Sequence, residues 1–124
     1  MKTSNQKLGN KGEALAVAHL QKNGYVILDR NFRSGRCELD IIARKDSVLT
    51  VCEVKSFFAD PLGAAEFRVH KAKQKQVIQG TYGYLGEHPE YEGMDIRFDV
   101  IIVDLSTYPA QITHHEAAFW QEEY

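Results

Sequence analysis

Glu38-Leu39-Asp40-Ile41-Ile42-Ala43, followed by Lys45-Asp46-Ser47 and then Val48-Leu49-Thr50-Val51-Cys52-Glu53-Val54-Lys55, is the stretch that decides the fold. Two apolar runs rich in β-branched residues flank a short polar turn, so they read as two strands of an antiparallel hairpin. Strand side chains alternate, which sets Glu38, Asp40 and Ile42 on one face and Leu39 and Ile41 on the other. Across the hairpin, Val51, Glu53 and Lys55 share a face, with Cys52 and Val54 opposite. Asp40 and Glu53 sit inside apolar runs, where an unpaired charge is unfavourable. Pairing across the hairpin brings the two carboxylates together. Like charges at close range repel unless a cation lies between them, and Mg²⁺ or Mn²⁺ suits oxygen donors. Lys55 adds an ammonium on the same face, and the Val54 carbonyl lies between them as a further ligand. This inventory suits phosphodiester hydrolysis: a metal to polarise the phosphate and acidify a water, and a lysine to orient that water or stabilise developing charge. The plainer reading is a structural ion pair of Lys55 with Glu53 or Asp40.

Outward from the hairpin, Leu8 to Asn23 reads as a helix with a broad apolar face at Ala14, Leu15, Val17, Ala18 and Leu20. Asn23-Gly24 is its stop, with Gly24 suited to a left-handed conformation. Tyr25-Val26-Ile27-Leu28 opens a first strand running to about Phe32, so the three strands form an antiparallel meander. Val69 to Leu85 reads as a second helix, weakened by Gly80 and Gly83, whose small size would let it approach the sheet closely. Ile96 to Val103 is a fourth strand, parallel to the third through a right-handed crossover. Gln111-Ile112-Thr113-His114 would add an edge strand. The expected order is α-β-β-β-α-β, an α/β fold in which helices flank a mixed sheet, as one domain over residues 1–124.

Composition is ordinary for a globular chain, with 44% apolar and 26% charged residues. No apolar run is long enough to cross a membrane, and the N-terminus does not read as a secretory signal. Cys37 and Cys52 suggest neither a disulfide framework nor a zinc pattern, so a reducing cytoplasm is expected. The net charge of −2 conceals an uneven distribution: residues 1–36 carry +5 and residues 87–124 carry −8. Arg68, Lys71, Lys73 and Lys75 form one basic run, and Arg30, Arg33 and Arg36 another. If both flank the hairpin they form a cradle for phosphates that recognises backbone shape rather than sequence.

Several blocks in order resemble the YraN-like family of uncharacterised bacterial proteins: Gly9-Asn10-Lys11-Gly12-Glu13-Ala14, Asn31-Phe32-Arg33, Glu38 to Ala43, Glu53-Val54-Lys55, Lys73-Gln74 and Arg97-Phe98-Asp99-Val100. The resemblance covers about residues 9–120. That family is similar to archaeal Holliday junction resolvases and to the restriction-endonuclease-like fold. The resemblance implies a PD-(D/E)xK core of Asp40, Glu53 and Lys55. It also implies a Glu13 that joins the metal shell directly or through water, and a Gln74 near the site. Two positions depart from the family's pattern: Cys37 where glycine is usual, and Ser56 where arginine is usual. The second removes one expected phosphate contact.

Other polar residues read more plainly. Glu38 lies further toward the strand start as an outer group beside Asp40. Asp99, in an apolar run, is expected to be structural, paired with Arg97 or with a basic helix. His114 and His115 point to opposite sheet faces and do not read as a metal pair. Phe119 and Trp120 read as C-terminal packing. The expected function is a Mg²⁺- or Mn²⁺-dependent endonuclease on branched or otherwise structured nucleic acid, DNA before RNA, although the residues themselves do not separate the two. A resolvase of four-way junctions would need two sites, hence a homodimer. The alternative is a non-catalytic nucleic-acid-binding or adaptor module that keeps the fold. An intact Asp40, Glu53 and Lys55 favours the first, and the acidic C-terminal third favours the second.

Overall fold

The structure, a computed structural model, describes residues 4–58 and 69–120, with side chains from residue 9 onward. Helix α1 (Ser4–Lys22) leads into strands β1 (Val26–Ser34), β2 (Cys37–Lys45) and β3 (Val48–Phe57). Helix α2 (Lys71–Glu87) follows, then a 3-10 turn at Pro89–Tyr91 and strands β4 (Asp95–Asp104) and β5 (Gln111–Phe119). The five strands lie in sequence order in one mixed sheet. β1–β2, β2–β3 and β4–β5 are antiparallel, and β3–β4 is parallel. The meander, the parallel crossover and the edge strand are therefore as the sequence predicts. The edge strand is longer than expected, reaching Phe119. No helix among the described residues is long and apolar enough to cross a membrane.

Each face of the sheet carries a core. On the α1 side, Ala16 and Leu20 pack with Tyr25, Ile41, Ala43, Cys52, Ile101 and Val103. On the α2 side, Val77 and Tyr84 pack with Leu39, Ile42, Leu49, Val51, Phe98 and Phe119. Gly24, at φ +90°, ends α1 in the left-handed region as expected. The glycines of α2 do let it approach the sheet. A Cβ on Gly80 would meet Leu39 and Cys37 at 3.1 Å, and one on Gly83 would come within 2.2 Å of Ser34 Oγ. On α1, a Cβ at Gly12 would fall 1.5 Å from Ser56 Oγ. Both helices are thus seated where side chains leave room for nothing larger than hydrogen.

Two expectations need correction. Leu39 and Ile41 do not share a face: Leu39 packs on the α2 side and Ile41 on the α1 side. Strict alternation fails between them because Asp40 enters neither neighbouring ladder. Phe119 is buried and stacked on Phe98, 5.1 Å between ring centroids, but Trp120 is 65% exposed. The chain leaves the sheet after Phe119, so the next side chain has no core to enter.

Candidate functional site

The β2–β3 ladder closes at Ile41 opposite Cys52. One further step in that register would set Asp40 against Glu53. Side chains replace the backbone ladder there. The Val54 amide donates to Asp40 Oδ2 at 2.9 Å, and the Asp40 amide to Glu53 Oε2 at 3.4 Å. On the other side of β2, Asn31 of β1 adopts φ +53°, between the pairs Arg30–Ile41 and Phe32–Leu39. A non-glycine residue at positive φ is uncommon, and asparagine tolerates it best. The strand thus departs from regular pairing on both sides at Asp40, and this opening lets the two acids meet away from the hairpin turn.

Both acids are shielded from water: Glu53 is 7% exposed and Asp40 is half-buried. Burial, followed by the neighbouring Asp40 carboxylate, pushes the Glu53 carboxyl up to about 7. Asp40 is also raised, by burial first; the Val54 amide opposes the shift and the Glu13 charge adds to it. The pair carries more negative charge than its surroundings neutralise. Such an oxygen-only donor set fits a hard divalent cation, with Asp40 and Glu53 as the residues that would hold it.

The other expected residues fall at different distances from this centre. Lys55 is exposed on the same strand face as Glu53. The partner of Glu53 is instead Lys73, whose Nζ lies 3.5 Å from Oε1. Glu13 is buried near enough to raise Asp40, but its Oε1 accepts from Arg30 Nε at 3.1 Å and Asn31 Nδ2 at 3.0 Å. One oxygen of the carboxylate expected to join the metal shell is therefore engaged by β1. Gln74 donates to the Val69 carbonyl at 2.8 Å, at the start of its own helix. Glu38 is half-buried and paired with the exposed Arg33 at 3.4 Å. Arg36, Lys71 and Lys75 lie exposed, and Arg68 lies outside the described residues.

Three things escaped the sequence reading. The sequence points Lys73 at phosphate, whereas the structure sets it against Glu53. Its position was the available signal, since the first turn of α2 holds no acidic residue, and a lysine there opposes the helix dipole. The Arg30–Glu13–Asn31 cluster was missed, because it joins residues 17 and 18 apart across two elements. A polar network around Asp99 was missed in part. The ion pair to Arg97 is present, with Nε–Oδ1 2.9 Å and Nη2–Oδ2 2.8 Å. Asp99 also accepts from His114 Nε2 at 2.7 Å and from the Ala117 amide at 2.9 Å. His114 Nδ1 lies 3.3 Å from His19 Nε2 of α1.

Among the described residues, Cys52, Asp99 and His114 form the only trio of possible ligand side chains whose ligand atoms all lie within 4.8 Å of one another. Asp99 already accepts four hydrogen bonds there, one pair from a guanidinium. Burial, followed by the Asp99 charge, pushes the Cys52 thiol well above its ordinary value. The trio reads as a structural knot, because both Asp99 oxygens and both His114 nitrogens already have partners in the fold.

The sequence profile of "Uncharacterised protein family UPF0102" matches residues 12–103. A UPF0102 protein of Geobacter metallireducens is 36% identical over 119 residues, covering 96% of this chain and 97% of the relative. One from Chlorobium chlorochromatii is 38% identical, covering 94% of each. One from Chloroherpeton thalassium is 39% identical over 102 residues, covering 82% of this chain and 78% of the relative. The chain belongs to the UPF0102 family.

Proposed function

We propose that this protein is a Mg²⁺- or Mn²⁺-dependent endonuclease with a restriction-endonuclease-like core, acting on branched or otherwise structured nucleic acid, DNA in preference to RNA. The observation that supports this most is the pair of acids, buried Glu53 and half-buried Asp40, held together where β2 and β3 leave their ladder. A bound ion would supply Lewis acidity toward a phosphate oxygen and a water of lowered pKa. Asp40 and Glu53 hold the ion, with the Val54 carbonyl as a further donor. Lys55, exposed on the Glu53 face, orients the water or stabilises charge on the phosphate as it develops. Arg33, Arg36, Lys71 and Lys73 contact flanking phosphates. The fold is read as a single domain that works in the cytoplasm, and as a homodimer if four-way junctions are the substrate.

A screen of duplex, single-stranded, flap and four-way-junction DNA and of structured RNA, with Mg²⁺ or Mn²⁺, tests the reading. Metal-dependent cleavage lost in Asp40→Asn is the expected result. Binding without cleavage on every substrate would instead support the non-catalytic adaptor module. The excess of negative charge over residues 87–124 favours that second reading.

A further inference from the structure

We propose that Lys73 is a built-in competitor for the divalent ion: its ammonium offsets part of the negative charge of the Asp40–Glu53 pair when no metal is bound, and an ion enters by displacing it. The inference rests on the nuclease reading for the identity of the ion and goes beyond it by naming what sets the ion's affinity.

Lys73 Nζ stands 3.5 Å from Glu53 Oε1, with the Glu53 side chain 8% exposed and the Lys73 side chain 45% exposed. Among the described residues it is the one cationic side chain in ion-pair contact with either acid of the pair. Its place in α2 is electrostatically unfavourable on local grounds. It is the third residue of a helix whose first turn holds no acid, beside the positive end of the helix dipole. The helix does not explain the lysine, whereas the acid pair does. The half-exposed ammonium sits on a flexible four-carbon stem, so it can swing into solvent by side-chain rotation alone. An ion placed between Asp40 and Glu53 would bring two positive charges close to the one on Lys73. The repulsion moves the ammonium outward. The affinity measured for the ion is then that of an exchange, ion in and ammonium out, rather than of simple filling. A monovalent ion gains little over the lysine it would displace, so the exchange also favours divalent ions.

Calorimetric Mn²⁺ titration of the full chain at neutral pH and low salt tests this, on wild type, Lys73→Met, Lys73→Gln and Lys75→Met. Both Lys73 variants should bind Mn²⁺ about tenfold more tightly, as expected for removing one charge several ångströms from a divalent ion in largely aqueous surroundings. The gain should shrink as salt is raised, because the pair is only partly shielded. Lys75→Met removes the same charge from the same helix and should leave the affinity within about twofold, since its charge is more distant and better screened. In the absence of metal, the Lys73 variants should melt below wild type, and Mn²⁺ should restore them. Equal or weaker Mn²⁺ binding in both Lys73 variants, with wild type binding normally, would overturn the competitor role and leave the nuclease reading standing. So would an equal gain in Lys75→Met. Absence of Mn²⁺ binding in all four proteins would overturn both.

Discussion

Asp99 and the Asp40–Glu53 pair lie in the same sheet, and all three are acids in apolar strands, yet the protein treats them in opposite ways. Asp99 is fully buried and answered on every side: a guanidinium, an imidazole and a backbone amide donate to its two oxygens. Burial pushes its carboxyl up, but the hydrogen bonds from His114, Arg97 and the Ala117 amide outweigh that and hold it below the usual carboxylate range. Glu53 meets a second carboxylate and one half-exposed ammonium, and its carboxyl rises to about 7. A buried acid with its full complement of donors ties elements together; here it joins β4 to β5 and, through His114 and His19, to α1. A buried pair of acids short of positive charge lowers stability and is explained best by something that binds there. The direction of the shift separates the two roles where burial alone does not.

The comparison can be broken most directly by removing each acid. Asp99→Ala takes the main partner from Arg97, whose side chain is 24% exposed and which keeps Tyr25 and Glu116, and should lower stability by about 3 kcal/mol, the low end for breaking a buried charge pair from one side. Asp40→Asn keeps an acceptor for the Val54 amide and relieves repulsion on Glu53. In metal-free buffer it should change stability by less than about 1 kcal/mol, or raise it. Urea unfolding of both variants, with chelator present, decides. A large loss in Asp40→Asn would mean that the pair is structural after all.

The next difference is in pH. A carboxyl raised in the folded state holds its proton there while the unfolded chain has released it. Glu53 therefore lowers stability as pH climbs from about 4.5 through 7, by at most about 3 kcal/mol. Asp99 works in the opposite sense: its contribution is complete above its ordinary value of 3.8 and is lost as pH falls through its lower folded value. Glu53→Gln should flatten the loss between pH 4.5 and 7 and leave the acid limb unchanged. If the variant and wild type decline in parallel, Glu53 is not the group that titrates.

Metal linkage sharpens the contrast further. At a hundred times its dissociation constant, Mn²⁺ should stabilise the wild type by roughly 2.7 kcal/mol. Asp40→Asn should lose that gain. Asn replacement of His114, a member of the Asp99 knot, should retain it, since no ion is expected there. Thermal melts with and without Mn²⁺ give the answer, and an equal rise in wild type and Asp40→Asn would place the ion elsewhere.

The sheet was legible because its signals are local. β-branched runs around Asp46-Ser47 announce the hairpin, and Gly24 announces the end of α1. Asp40 and Glu53 stood out because an acid in an apolar strand needs a reason. What could not be read were contacts set by tertiary geometry. Asp40 leaves both ladders where Asn31 of β1 has a positive φ, and alternation counting cannot see it. Glu13 resembled a site residue, but whether it faces an ion or Arg30 depends on how α1 lies over β1. Lys73 and Lys75 look equivalent in the sequence; only the docking of α2, allowed by Gly80 and Gly83, puts the first against Glu53.

The smallest expected change in stability comes from Lys55, and it separates the two lysines near the pair. Lys55 is exposed, so Lys55→Ala should leave folding within about 0.5 kcal/mol of wild type. Its ammonium is not a ligand, so Mn²⁺ affinity should also change little, unlike the tightening expected on removing Lys73. If Lys55 orients the water or meets charge only as the phosphate reacts, its loss appears in the rate alone, where one such preorganised group is typically worth about 10²–10³. Glu53→Ala should lose both metal binding and cleavage, because that side chain holds the ion. Single-turnover cleavage measured beside Mn²⁺ titration distinguishes these cases. A Lys55→Ala variant that cleaves at the wild-type rate would remove Lys55 from the chemistry. Lys73, already against Glu53 and free to swing toward a bound phosphate, would then be the lysine to test in its place.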